Sequence, residues 1–429
     1  MQTLFKKNKR TLSRSGVIAI IFVLLSGGIV SSWPQTAFAT ATVTTATGGS
    51  SISADTTGGS YTTLTGPTLA EGATSDFPSS GTIVLSAPLG FQFNTGTTVT
   101  TVISRTGGHK TCFSFTSTTA TPSATTITFT LNATDGGGGT TCQVVFSNIQ
   151  VRPTAGTPLA SGSITDTGTA SINGITSSTN LGNLTEVAGA KNKLAITTQP
   201  SATATAGVNF TTNPVVALED QYGNTVTTNN SSTVTEAVVL SGQLCGGTPG
   251  SGTLTSTPSS GSAVTSGVMA YTAMQYSAAE SIQICFSSSG VTSAISNTVT
   301  VSALISITIT SSGTISYGTL AAGVSSSTVP AYTQTAKNSG TGLETFDIKG
   351  QNTACPWTLA STSGTNQYIQ EFSTNGGSSW TALTTNYQTL AISIAANNTQ
   401  NFDLRLTAPS STSCFNQQSV DVTIQAVAG

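Results

Sequence analysis

Apolar side chains recur at every second position along most of this chain, and that period constrains its fold more than any other feature. In TIVLS, Ile83 and Leu85 share one face; in ATTITFTLNA, Ile127, Phe129 and Leu131 do; in QVVFSNIQV the pattern continues through Val144 and Phe146. A two-residue period belongs to strands with one buried face, and helical spacing does not recur alongside it. Thr fills most alternate positions, where a β-branched residue with a hydroxyl suits the wet face of a half-buried sheet. The chain reads as all-β.

Charged residues make up only 7% of the 429 positions, while Thr and Ser supply about a third, so the polar content is hydroxyl rather than ionic. Hydrophobic residues reach 37% and the aromatic ones are spread along the whole length, which gives the chain enough to build cores.

Lys6, Lys7, Lys9, Arg10 and Arg14 precede the apolar run GVIAIIFVLLSGGIV, and Ala37, Phe38 and Ala39 then form a small-residue cleavage site. Residues 1–39 are read as a secretory signal peptide, which places the mature chain outside the cell, secreted or on the cell surface. Without that segment the chain carries 8 basic and 15 acidic residues, a net charge of −7, with no basic cluster. Nucleic acid and anionic lipid are therefore excluded as expected partners. No further apolar run is long enough to span a bilayer, and the final stretch, VDVTIQAVAG, reads as a strand.

Six cysteines fall in three successive pairs, and an even count in an exported chain points to disulfides. The expected links are Cys112 to Cys142, Cys245 to Cys285 and Cys355 to Cys414. Loops of this size are worth roughly 3.5 to 4 kcal/mol each in the chain-entropy model. A zinc site is not expected, because there is no C-x-x-C pair and His109, in RTGGHKTC, is the single histidine.

Each pair sits within one candidate β-sandwich module. The first is placed at 40–188, with loops marked by glycine clusters such as Gly136 to Gly139, and PLGFQF brings Phe91 and Phe93 into its core. The second is placed at 191–301. There PVVALEDQYGNTVT reads as a hairpin: Val216 and Leu218 point one way, Gly223 and Asn224 permit positive φ in the turn, and Val226 resumes the next strand. Val238 and Leu240, Met269 and Tyr271, and Ile282 and Ile284 extend the alternation. The third is placed at 303–429, where Ile305, Ile307 and Ile309 alternate, then Phe402, Leu404 and Leu406, then Val420, Val422 and Ile424. EFSTNGGSSWTAL reads as a hairpin with Phe372 and Trp380 on its arms.

The segments KLAITTQP, TAGVNF, PVVALEDQYGNTV and YSAAESIQICFSSSGVTS, in that order over about 191–301, resemble a bacterial Ig-like repeat. Such repeats occur in adhesins and other large surface proteins, so the resemblance implies an Ig-like sandwich in a stalk or adhesin. The region opening near GTISYGTL is similar to C-terminal domains of bacterial cell-surface proteins. Three Ig-like or related sandwiches in series are the expected architecture.

Little in the sequence supports catalysis. A Ser-His-Asp triad would need His109, which lies in a glycine-flanked loop, and no G-x-S-x-G elbow occurs. Glu219 with Asp220, and Glu344 with Asp347, are the nearest carboxylate pairs, yet each pair falls on opposite faces of an extended strand. Asp220 is better explained as a turn cap. Glu219, Asp220 and Asn224 are the one candidate set for a weak calcium site, and fifteen acids in the chain are few for an oxygen cage.

No cofactor and no metal is expected. The candidate ligand-stacking residues are Trp357, Trp380, Tyr368 and Tyr387; packing of the two Trp rings beside the Cys355 to Cys414 link is the favoured alternative. Sequons at Asn132, Asn183, Asn209, Asn229, Asn230 and Asn397 follow from the Ser and Thr abundance. The expectation is an exported, non-enzymatic structural or adhesin-like protein with a protein or glycan partner, the rival being a carbohydrate-binding protein.

Overall fold

The structure, a computed structural model, describes residues 39–106, 111–136, 139, 141–311 and 313–429. The signal-peptide reading and His109 lie outside the described residues. Among those described, strands account for the regular structure, with a single short 3-10 turn at Ala54–Thr56. The chain divides into two compact units. Unit 1 holds the described chain up to Ser51, Ser60–Arg152 and Ser161–Thr185; unit 2 holds Ile52–Gly59, Pro153–Ala160 and Glu186–Gly429.

In unit 1, the alternation read from the sequence becomes two facing sheets. Thr141–Ser147 pairs antiparallel with Thr68–Ala70 on one side and Val99–Thr106 on the other. In the other sheet Thr82–Ser86 lies between Thr126–Ala133 and Ser161–Asp166. Ile83, Leu85, Ile127, Val144 and Phe146 are fully buried between them.

Five phenylalanines bridge the sheets. Phe77 stacks on Phe113 at 4.0 Å between ring centroids, Phe113 meets Phe115 edge-on at 6.1 Å, Phe115 meets Phe129 at 5.5 Å, and Phe129 meets Phe146 at 5.4 Å. Offset and edge-on pairs of this kind add about 0.5–1.5 kcal/mol each beyond area burial. Phe91 and Phe93 are buried as expected, after Gly90 at φ 90°.

QVVFSNIQV is not one strand. It breaks at Asn148, in the left-handed region at φ 64°, and the chain leaves the Thr141–Ser147 strand to form Ile149–Pro153 in another sheet. Asn adopts that conformation at low cost, and the turn moves the second apolar run to a new surface.

Unit 2 contains two separate apolar cores. One gathers Leu194, Phe210, Val216, Leu218, Tyr276 and Ile284 among others; the second gathers Phe346, Ile348, Phe372, Leu390, Phe402 and Leu404. Around the first, Val215–Glu219 lies between Lys193–Thr198 and Val268–Ala270, and Ser281–Ser287 pairs with Thr233–Leu240. Around the second, Thr399–Thr407 pairs with Gln334–Asn338 and Gln367–Ser373, and Glu344–Lys349 lies between Gln388–Ile394 and Thr423–Ala428.

Several sequence expectations need correction here. Of the predicted turn glycine and asparagine, Gly223 alone has positive φ, at 90°. Val226 is buried, but the chain beyond the turn forms a single bridge, Glu219 to Thr225, because both edges of Val215–Glu219 are already occupied.

In Thr233–Leu240, Val239 is buried while Val238 and Leu240 are half-buried. Val238 packs against the core as expected, and the loop after this strand returns along its edge, through a Val239 to Pro249 bridge and a Leu240 N–H to Thr248 carbonyl bond of 2.9 Å. Ile309 is exposed because Ile307–Ile309 is an edge strand, and Leu406 is half-buried beside buried Leu404. The EFSTNGGSSWTAL hairpin forms as expected, with Phe372 opposite Thr381 and Gly376 and Gly377 at positive φ.

Candidate functional site

The chemistry-bearing groups are carboxylates, disulfides and four aromatic rings. Eight of the fifteen acids are buried: Glu71, Asp76, Asp135, Asp166, Glu186, Asp220, Glu344 and Asp403. A buried carboxylate must be supplied with donors or lose its charge, and in this chain the donors are mostly main-chain N–H groups.

Asp220 shows the pattern most fully. Its Oδ1 accepts from the Tyr222 and Asn224 N–H groups at 2.9 Å, and its Oδ2 accepts from Gly189 N–H at 2.8 Å and the Asn224 amide at 2.9 Å. Burial alone would raise its pKa, but these bonds, led by the Asn224 amide, outweigh burial and hold the carboxyl below its ordinary value. The turn cap read from the sequence is therefore also a tie to a distant segment.

Around it, Asn224 donates to the Gly156 carbonyl at 2.7 Å, and Asp55 accepts from Ala190 N–H at 2.7 Å and the Gln221 amide at 3.0 Å. The Tyr222 ring covers Gly156 so closely that a Cβ there would lie 2.4 Å from it.

The same use repeats elsewhere. Asp76 accepts from Gly72 and Ala73 N–H, Asp166 from Val84 and Gly168 N–H, and Glu344 from Ser306 N–H at 2.7 Å. Glu186 accepts from Ala160 N–H at 2.9 Å; burial, opposed by that bond and reinforced by Asp220, pushes its carboxyl above the ordinary value.

Glu219 points away from Asp220 and pairs with Lys193 at 3.6 Å, while Glu344 is buried and Asp347 half-buried on the other face of the same strand. Neither candidate pair converges. With both Asp220 oxygens receiving hydrogen bonds and Glu219 facing a lysine, the Glu219, Asp220 and Asn224 set offers a cation little. Among the described residues no group of three or more Asp, Glu, His or Cys side chains is arranged to hold a metal.

All three predicted disulfides are formed, with Cα separations of 5.7 Å for Cys112–Cys142, 5.4 Å for Cys245–Cys285 and 6.4 Å for Cys355–Cys414. Cys285 is the register partner of Ala237, and its link to Cys245 pins the loop whose Pro249 bridges to Val239.

Of the four candidate stacking rings, Trp357 and Tyr368 meet each other, while Trp380 and Tyr387 each meet a separate cation. Tyr368 is fully buried and donates its hydroxyl to the Gln351 carbonyl. Trp357 is half-buried, 6.4 Å from Tyr368 between centroids, and donates Nε1–H to Thr412 at 2.7 Å, two residues from Cys414. Trp380 is half-buried under the Arg405 guanidinium at 4.7 Å, and exposed Tyr387 carries the Lys349 ammonium at 4.5 Å. The cavity beside Trp357, about 30 Å³ and lined by Tyr368, Leu406 and Val420 among others, has room for a water-sized molecule and not for a sugar ring.

Sequence reasoning missed the structural acids Glu71, Asp135 and Asp403, because each meets a partner far away along the chain. Asp403, for example, accepts from Thr328 and Thr333 hydroxyls, about seventy positions earlier.

Fold and polar groups together define an all-β, disulfide-stapled protein whose carboxylates mostly hold loops in place. No protein-family model matches the sequence, and no curated protein matches it. Similar solved structures include the Yersinia pseudotuberculosis adhesin InvE, at 13% identity and TM-score 0.21, covering 61% of this chain and 58% of that one. The chain thus spans less than two thirds of InvE. The Escherichia coli adhesin FdeC matches at 13% identity and TM-score 0.28 over 91% of this chain and 98% of that one. Yersinia pseudotuberculosis InvD matches at 14% identity and TM-score 0.25 over 89% and 84%. Overlaps this loose assign neither a shared arrangement of domains nor a shared activity. Among the described residues no helix is long and apolar enough to cross a membrane.

Proposed function

We propose that this chain is an exported, non-enzymatic surface protein of adhesin-like type, built as three stapled β-sandwich modules at 40–188, 191–301 and 303–429. The observation that carries the reading is the inward use of its acids: eight of fifteen are buried, and most of these accept hydrogen bonds from main-chain N–H groups. A catalytic carboxylate needs a free lone pair aimed at a substrate, and these are aimed at loops. The separate apolar cores in unit 2, the disulfides and the Ig-like resemblance of 191–301 support the modular part of the reading. The mechanism is adhesive and mechanical: a low-charge, hydroxyl-rich surface held on rigid sheets.

Two measurements on one preparation test this. The full chain expressed in a bacterial host is expected outside the cytoplasm, cleaved by protease added to intact cells or recovered from the medium. Beads coated with it are expected to hold to cell or matrix surfaces under flow better than albumin-coated beads. Retention in the cytoplasm, or turnover of ester or glycoside substrates, would overturn the proposal.

A further inference from the structure

The strands that end the first two proposed modules have their outer edges taken. Gly182–Val187 carries Ile52–Ser53 in parallel, through Glu186 to Ile52 and Val187 to Ser53, and Val299–Ser302 carries Thr203–Thr205 in parallel. Thr423–Ala428, at the end of the third, pairs in unbroken antiparallel register with Glu344–Lys349 on one side. Among the described residues no strand pairs with its other side. An open edge of this kind presents main-chain donors and acceptors in a row, and an extended strand is the occupant that satisfies them together.

Nothing guards this edge. It holds no charged residue and no proline, and no residue in it has positive φ. The opposite margin of the same sheet, Gln388–Ile394, is interrupted by two register shifts and by Ser393 at φ 54°, irregularities that turn an edge away from partners. Gly429 N–H donates to the Leu343 carbonyl at 2.9 Å, which sets the alternation of the ladder. Thr423, Gln425 and Val427 therefore bond to the neighbouring strand, while Ile424, Ala426 and Ala428 turn their N–H and C=O groups outward. Ile424 and Ala426 pack on the core yet stay half-buried, because the sheet stops beside them.

We propose that this edge pairs with the same strand of a second copy of the chain, antiparallel about a two-fold axis through Ala426. Ala426 then faces its counterpart and Ile424 faces Ala428, so all three outward residues are bonded, the core faces of both copies lie on one side, and small side chains meet at the axis. Charge favours this occupant. A net-acidic chain meets a copy of itself at least cost through a neutral segment, and residues 422–429 contain none of the fifteen acids. Six residues a side are few beside the roughly 20–30 of a standard interface, so the dimer is expected to be weak, with a Kd on the order of 10–100 µM. It does not depend on an adhesive role.

Sedimentation equilibrium of the full chain from about 1 µM to about 200 µM tests the pairing, with hydrogen exchange read at both ends of the range. The mass is expected to rise from one chain towards two and no further, and the Ile424, Ala426 and Ala428 amides to exchange several-fold more slowly in the concentrated sample. Ala426→Pro removes an outward N–H and leaves the bonds to Glu344–Lys349 in place, as an edge strand tolerates. It is expected to abolish the dimer. Val427→Lys, which adds a charge at an exposed position of the edge, is expected to weaken the dimer by about tenfold or more and serves if the proline variant does not fold. Four results would overturn the proposal: a single-chain mass at every concentration, a dimer of native strength in the folded variants, assemblies larger than two, or slow exchange of the three amides already at 1 µM. The last would mean that a segment of the same chain covers the edge.

Discussion

Replacing Asp220 with Ala removes the acceptor for the main-chain N–H groups of Gly189, Tyr222 and Asn224 and for the Asn224 amide. Because the site is fully buried, those donors are left without water, and the expected loss is about 3 kcal/mol, measurable as a lower urea midpoint. The lowered Asp220 pKa adds a pH sign: its stabilising share is present above the ordinary carboxylate range and disappears as pH falls through its depressed value.

Gly156→Ala is expected to damage the same corner from the other side, since its Cβ would enter the Tyr222 ring and push Asn224 off the Gly156 carbonyl. Proteolysis of the 153–160 segment reads this directly. Half of this site was legible. The cap to Tyr222 and Asn224 follows from an Asp before a Gly-Asn turn, whereas Gly189 and Gly156, 31 and 64 positions away from Asp220, carry no local signal.

At the scale of elements, Phe129→Ala is expected to cost about 3–5 kcal/mol in thermal or chemical unfolding, because Phe129 joins Phe115 on one side to Phe146 on the other. Removing the Cys245–Cys285 link by a double Ser substitution is expected to cost up to about 4 kcal/mol for its 40-residue loop. It should also open the strand edge at Val239 and Leu240, where the loop pairs, to exchange before the rest of that sheet.

Strand identity was readable because a two-residue period with Thr on the wet face admits few alternatives. Which face is buried was harder to read. Val238 does pack against the core, yet Val239 on the opposite face is the more buried of the two, and Ile309 looks like core until its strand proves to be an edge. Local alternation records the pleat, while covering loops and edge positions are set by pairings far along the chain.

Across the whole molecule, seven percent charge and a single histidine already argued against catalysis, and the structure adds what the acids do instead. The ring residues Trp357, Trp380, Tyr368 and Tyr387 show the limit of composition: all were visible in the sequence, yet only Tyr368 lies in a strand, and the burial and partner of each ring depend on loops and pairings that local pattern does not record.

Pulling single molecules end to end, with and without reductant, tests the proposed three-module design most directly. Three unfolding events are expected, and reduction should lengthen them by roughly 11, 14 and 21 nm, the reach of the 30, 40 and 59 residues that each disulfide shields from force. Fewer events, or lengths indifferent to reductant, would contradict three independently closed, internally stapled sandwiches.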